Sequence, residues 1–220
     1  MLIKHKMAYV ILTITFLLLL PGITNAQQMS ALEQLALTSP NLFGSILKDE
    51  QLVSIDKEVP GKPQFVTVIT LFDAPINEVF SIVSDYNDYA KHIPQTTSVK
   101  VVQKNGNVLI VDYKVEFKFS ILSEHANYTL KHVLNPPDSI TWTRVAGNLK
   151  TVEGSWKFLP VDNGKKTIGF YRVYTDISSL SFLIRYMLEK QPILNTAIST
   201  SSALVYTNAI QKWVNEAGKH

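Results

Sequence analysis

The sequence contains no cysteine. That excludes disulfides, thiolate metal sites and a cysteine nucleophile together, and it fits an exported chain that needs no covalent cross-links. Charge is also scarce, at 18% of residues, and it is balanced. Lys4 and Lys6 are the only charged side chains in residues 1–26; beyond them 19 basic residues face 18 acidic ones, a net charge of +1. No basic stripe is left to neutralise phosphates, so nucleic acid is not an expected partner. The five histidines form no H-E-x-x-H or His-x-His pattern and stand beside no clustered carboxylates. No metal site and no cofactor are therefore expected. Ser199, Ser201 and Ser202 lack a Gly-x-Ser-x-Gly elbow and a base at recognisable spacing, so no catalytic residue is assigned.

The one long apolar run, Ala8 to Leu20, follows Lys4-His5-Lys6 and precedes Pro21-Gly22 and Thr24-Asn25-Ala26. This order reads as a secretory signal peptide cleaved after Ala26. The run is shorter than the roughly 20 apolar residues a spanning helix needs. An uncleaved N-terminal anchor in the membrane is the alternative. Residues 27–62 read as an N-terminal extension with a turn at Ser39-Pro40-Asn41 and a strand-like stretch from Gln51 to Glu58, and 63–217 as one domain with a sizeable core.

Within that domain Gln64 to Phe72 is apolar on both faces, as a doubly covered strand is. Pro75 opens a short helix through Val83, and Asp85-Tyr86-Asn87-Asp88-Tyr89 starts a second, stopped by Pro94. From Ser98 the pattern switches to period two. Leu109, Val111, Tyr113, Val115, Phe117 and Phe119 alternate with Asp112, Lys114, Glu116 and Lys118. Turn signals at Asn105-Gly106-Asn107, Asn135-Pro136-Pro137-Asp138, Ala146-Gly147-Asn148 and Asp162-Asn163-Gly164 divide the rest into an antiparallel meander. A long helical segment, Ser181 to Lys219, closes the chain. The fold class is α+β: a curved antiparallel sheet wrapped around the long C-terminal helix, with two short helices after the first strand. Gly154, inside a strand, implies sharp bending or close backbone approach.

The long helix is unusual between Asn195 and Ala203, where almost every residue is small. Leu194, Ala197, Ile198, Ser201, Val205 and Asn208 fall on one stripe at helical spacing. A stripe closing an ordinary core would carry larger side chains. Either helix and sheet approach closely, or a gap separates them. Tyr113, Val115, Phe117, Tyr128, Leu130, Trp142, Trp156 and Phe158 share the inward phase of their strands. Opposed to Ala197, Ile198, Ser201 and Val205, they suggest an apolar chamber with a few hydroxyls, the usual make-up of a small-molecule pocket. Arg144 follows Trp142 on the same phase, where a charge needs a partner. A ligand anion, Glu153 or Asp112 could supply one, or the side chain snorkels to solvent. His132 is in phase with Tyr128 and Leu130, either as a pocket base or as a structural histidine held by a backbone carbonyl; His125 is out of phase and should face solvent. Ile177 to Leu188 is apolar on nearly all sides, a lid or membrane-touching entry in one reading and buried under the extension in the other.

The chain resembles the START-like, or SRPBCC, superfamily with its helix-grip fold, and within it the polyketide cyclase/dehydrase and coenzyme Q-binding branch. The residues that carry the resemblance are Asp73-Ala74-Pro75, Val79-Phe80, Asp85-Tyr86-Asn87-Asp88-Tyr89 with Ile93-Pro94, Glu153-Gly154-Ser155-Trp156 with Phe158 and Pro160, and Thr167 to Asp176. They are fold signatures and not catalytic ones. The resemblance implies an internal cavity for a lipid, quinone or polyketide-like molecule, hence lipid binding, with a minority of enzymes in the superfamily. The expected function is an exported, periplasmic binding or transport protein for a hydrophobic small molecule or lipid, with possible transient membrane contact. A polyketide cyclase/dehydratase using His132 is the alternative, and a non-catalytic interaction module the second.

Overall fold

The computed structural model describes residues 31–218 other than 48–50, 58, 60–62 and 120–121, and the leader reading of residues 1–26 lies outside them. The chain divides into a unit of residues 1–46 and a unit of residues 47–220. In the first, α1 (Ala31–Thr38) and α2 (Pro40–Ile46) meet at the Ser39-Pro40 turn. The Ser39 amide closes α1 on Leu35 O, and the Ser39 carbonyl opens α2 by accepting from Phe43 N.

The second unit is built on eight antiparallel strands: β1 (Leu52–Ile55), β2 (Val66–Phe72), β3 (Thr96–Asn105), β4 (Val108–Phe119), β5 (Leu122–Asn135), β6 (Ser139–Gly147), β7 (Val152–Val161) and β8 (Lys166–Thr175). Strands β3 to β8 form the expected meander. β8 then pairs back onto β2, giving the order β1-β2-β8-β7-β6-β5-β4-β3. Residues 52–55, within the strand-like stretch Gln51 to Glu58 of the extension, pair from Leu52↔Ile69 to Ile55↔Val66 and form an edge strand of the sheet. A four-residue strand carries too few alternating positions to reveal its register before its partner is known.

Period-two alternation holds where it is cleanest. On β4 Leu109, Val111 and Tyr113 are buried while Asp112 and Lys114 are exposed. β2 is buried on both faces, as its continuous apolar run predicts. The Asn105-Gly106-Asn107 hairpin has Gly106 at φ +56°, a left-handed position where glycine costs least. Gly154 marks a close approach. A Cβ there would lie 2.3 Å from Arg172 O and 2.5 Å from a ring atom of Trp142, its cross-strand partner. The indole occupies the room that a side chain would need.

Between β2 and β3 run α3 (Ile76–Val83), a 3₁₀ turn at Tyr86–Asp88, and α4 (Tyr89–His92). Val79, Phe80, Val83, Tyr86 and Tyr89 from these elements enter the main core. After β8, α5 (Phe182–Lys190) is capped by Ser181, whose hydroxyl accepts from Ile184 N. α6 (Ile193–Ala217) then lies against the concave face of the sheet. Its buried stripe is Ala203, Thr207, Ile210, Trp213 and Val214. The sequence phased the helix differently: Ala197, Ser201, Val205 and Asn208 are exposed, and Leu194 and Ile198 only partly buried. Trp213 and Ile210 anchor the C-terminal half by size, so they and not the small residues set the rotation of the helix. Ala203 packs on Val66 and Val68, and Gln211 Nε2 donates to Leu71 O at 2.9 Å. Among the described residues no helix is long and apolar enough to cross a membrane.

Candidate ligand chamber

In its N-terminal half α6 meets β2 through Ala203 but stands off the rest of the sheet. Between them lies a cavity of about 440 Å³, walled by Ala197, Ile198, Ser199, Ser201, Ser202, Ala203, Val205 and Tyr206 of the helix. Across from these stand Val115 and Phe117 of β4, Tyr128 of β5, Tyr171, Val173 and Thr175 of β8, and Ile177. Ile93, Pro94, Gln95 and Thr96 form the rim. A second cavity of about 130 Å³ continues inward past Tyr128, Tyr171 and Tyr206. It is lined further by Val83, Tyr86, Tyr89, Tyr113, Leu130, His132, Ile140, Trp142, Val152 and Trp156. Neither wall includes an Asp, Glu, Lys or Arg. Small residues on α6 leave the room, and strand aromatics give the chamber its floor.

Two hydrogen-bond chains cross the inner end. In the first, Trp156 Nε1 lies 3.5 Å from Tyr206 Oη, Tyr206 and Tyr89 hydroxyls are 3.0 Å apart, and Tyr89 donates to Val83 O. Because the Tyr89 proton goes to Val83 O, Tyr206 must donate to Tyr89 and accept from Trp156. Every hydrogen in this chain has an acceptor. In the second, His132 joins two phenols, with Tyr86 Oη 2.9 Å from Nδ1 and Tyr113 Oη 3.0 Å from Nε2. His132 is 4% exposed, and burial lowers its pKa to about 3, so it is neutral at ordinary pH. Burial likewise pushes the hydroxyls of Tyr86, Tyr89, Tyr113 and Tyr171 well above the usual phenol range, and those of Tyr128 and Tyr206 upward. The inner chamber is polar without being charged. Flat stacks brace it: Tyr113 on Tyr128 at 5.3 Å and Trp142 on Tyr171 at 5.6 Å between ring centroids.

The candidate residues divide between these walls. Tyr113, Leu130, Trp142 and Trp156 line the inner cavity, Val115, Phe117, Ala197, Ile198, Ser201 and Val205 the outer one, and Tyr128 both. Phe158 lines neither. It stacks on Trp156 and meets Phe80 edge-on, inside the core. Arg144 also lies off both cavities. A register shift between Thr129 and Leu130 alters the end of β6, and the guanidinium turns back so that Nη2 donates to Gly147 O at 2.7 Å. It pairs with neither Glu153 nor Asp112; Asp112 accepts from Thr129 instead. His132 points inward and its partners are phenols, not a backbone carbonyl. His125 is exposed, as its phase predicts.

Sequence reasoning missed Tyr86, Tyr89, Tyr171 and Tyr206. The first two stand three residues apart in the short Asp85–Tyr89 segment, a spacing that puts both on one helical face. On β8 the large residues Tyr171 and Val173 alternate with Phe170 and Tyr174, so the pattern gives no single inward phase, and Tyr206 lies off the small-residue stripe of the helix. Among the described residues no three His, Asp or Glu side chains assemble as a metal-ligand set.

The model of the family described as polyketide cyclase/dehydrase and lipid transport matches residues 72–191. Among curated proteins no sequence match is found. Solved structures with a similar fold include the Zhui aromatase/cyclase from Streptomyces sp. R1128, at 17% identity and TM-score 0.55, covering 69% of this chain and 93% of that one. A START superfamily protein from Mycobacterium smegmatis matches at 14% identity and TM-score 0.54, covering 70% and 98%. A STAR-related lipid transfer protein from Xanthomonas axonopodis matches at 12% identity and TM-score 0.52, covering 74% and 98%. At these identities the likeness establishes the helix-grip fold.

Proposed function

The chain belongs to the polyketide cyclase/dehydrase and lipid transport family, and on that premise we propose that it is an exported, periplasmic protein that binds or carries a hydrophobic small molecule in its chamber. The observation that carries this reading is the 440 Å³ cavity held open by the small-residue face of α6, with no charged side chain in its wall. Affinity would come from apolar burial; roughly 300 Å² of ligand surface removed from water contributes about 7 kcal/mol gross. Part of that offsets the loss of ligand freedom. Lipids, quinones such as a coenzyme Q headgroup, and polyketide-like rings all have the required character.

His132 makes a poor general base. Its pKa of about 3 leaves it little affinity for a proton, and both ring nitrogens are already hydrogen-bonded to tyrosines. The cyclase/dehydratase reading therefore has no base among the residues that sequence nominated. A helix packed flush along its whole length would have favoured an interaction module, whereas a cavity separates α6 from β4, β5 and β8 in its N-terminal half.

Ser201 is exposed on the chamber wall. Ser201→Trp is expected to fill the outer cavity without disturbing the buried stripe. Native mass spectrometry of the protein isolated gently from the exported fraction should show a co-purified apolar molecule that the variant loses. A protein that carries nothing, and whose thermal midpoint responds neither to added lipid nor to the substitution, would overturn the reading.

Transient membrane contact is the second part of the proposal. Phe182 is 79% and Ile193 72% exposed, and Leu183 and Tyr186 are exposed nearby, while Ile184 turns inward. Phe182→Ser with Ile193→Ser is expected to reduce cosedimentation with phosphatidylglycerol-containing vesicles several-fold. Equal cosedimentation of the two proteins would discard the contact.

A further inference from the structure

The Tyr86–His132–Tyr113 chain has one hydrogen too many. A neutral imidazole brings one N–H and the two phenols bring two O–H groups, three hydrogens in all. The contacts at 2.9 and 3.0 Å use two of them. One phenol donates to the bare ring nitrogen, and the other accepts the ring N–H. That second phenol keeps its own hydrogen, and among the described residues no protein acceptor lies within hydrogen-bond reach of it. The neighbouring Trp156–Tyr206–Tyr89–Val83 chain ends on a carbonyl and has no hydrogen left over. The hydroxyls of Tyr128 and Tyr171, at the junction of the two cavities, also have no protein partner among the described residues. The inner end thus presents a phenolic hydrogen without a protein acceptor among the described residues. An unpaired O–H in so buried a place is costly. No cation lines either cavity to balance a carboxylate or phosphate, and no anion lines them to balance an amine.

Resting on the chamber reading above, we infer that the inner end is a subsite for an uncharged hydrogen-bond acceptor on a flat ring. Its ligand class is an aryl ketone or quinone carbonyl that receives the spare phenolic hydrogen of the Tyr86–His132–Tyr113 cluster. The ring would lie among Trp142, Tyr171 and Tyr128, and the rest of the molecule in the outer cavity. Ionised carboxylates, phosphates and ammonium groups are disfavoured because no countercharge lines either cavity.

The test uses three probes of one shape: 2-acetylnaphthalene, 2-isopropylnaphthalene and 2-naphthoate, titrated calorimetrically at pH 8. The ketone is expected to bind about tenfold tighter than the hydrocarbon, the yield of one satisfied buried hydrogen bond, and the carboxylate most weakly. In Tyr86→Phe/Tyr113→Phe/His132→Leu, which removes every partner together and so strands no polar group, the ketone-to-hydrocarbon ratio should fall to near one. A second readout needs no variant: the ketone carbonyl infrared band should shift down on binding the unaltered protein, relative to the band in hexane. A ketone no tighter than the hydrocarbon, a carboxylate that binds tighter than either, a ratio that survives the triple substitution, or an unshifted band overturns the subsite while leaving the chamber in place. If none of the three probes binds, the chamber reading itself fails and the subsite falls with it.

Discussion

Gly154→Ala is expected to destabilise the protein by roughly 3 kcal/mol or more, the range of severe overpacking against groups that cannot move aside. The added methyl would meet Arg172 O at 2.3 Å and the Trp142 ring at 2.5 Å. The indole could rotate only by leaving the inner cavity that it helps to floor. Arg172 O belongs to β8, whose ladder with β7 pairs Gly154 with Val173, so its displacement would break strand pairing. Thermal unfolding reads the effect, with a midpoint lower by roughly 6–12 °C for a domain of this size. Gly106→Ala is the control. Nothing lies within 4 Å of its added methyl, and only its φ of +56° opposes the change, a cost of about 1 kcal/mol. Equal midpoints for the two variants would show that the crowding at Gly154 is relieved without loss, and that the Trp142 packing is not rigid.

Acid should destabilise this protein earlier than carboxylate titration alone predicts, because His132 cannot take up a proton until it leaves its site. The unfolded side chain protonates near pH 6.5, whereas burial lowers the folded value to about 3. Above pH 6.5 both states are neutral and the folded protein keeps its full stability. As pH falls from 6.5 toward 3, only the unfolded state binds the proton, so stability drops. The loss approaches about 1.4 kcal/mol per pH unit and reaches about 2–3 kcal/mol by pH 4.5. Urea unfolding of the natural protein and of His132→Gln across pH 7 to 4.5 isolates the contribution, since all other groups are common to both. The slope should be shallower in the variant, although its stability at pH 7 is lower for the hydrogen bonds it loses. Parallel slopes would mean that the buried imidazole already titrates in the folded protein. A charged His132 would then donate from both ring nitrogens and leave both phenolic hydrogens to spare.

The elements were legible in the sequence where a local rule had a single solution. The period-two alternation of β4 fixes its faces because each residue must point opposite to the last. The hairpin turns are fixed by residues that tolerate their dihedral angles, and Pro75 by the missing amide at a helix start. Their order, with one long final helix, was enough to indicate the helix-grip fold. The small-residue run from Asn195 to Ala203 marked a gap, and that gap is the outer cavity. Eleven of the thirteen candidate residues lie on its walls or on those of its inner extension.

Tertiary structure decided the rest, for reasons of distance and size. The rotation of α6 was settled by Ile210 and Trp213 packing far along the helix, so Ser201 and Val205 line the open side of the outer cavity, and Tyr206, off the small-residue stripe, was overlooked. Gln51 to Glu58 reads as strand-like on its own, but its place at the edge of the sheet depends on pairing with β2. Arg144 turned away because a bulge between Thr129 and Leu130 changed the end of its strand. The Tyr86–His132–Tyr113 cluster joins residues separated by 46 and 19 positions. Its surplus hydrogen exists only once those three side chains share one desolvated corner. The sequence by itself determined that there would be a vessel lined with aromatics, because composition and alternation act locally. What its inner wall offers a ligand depends on hydrogen bonds between distant segments, and only folding brings those within reach.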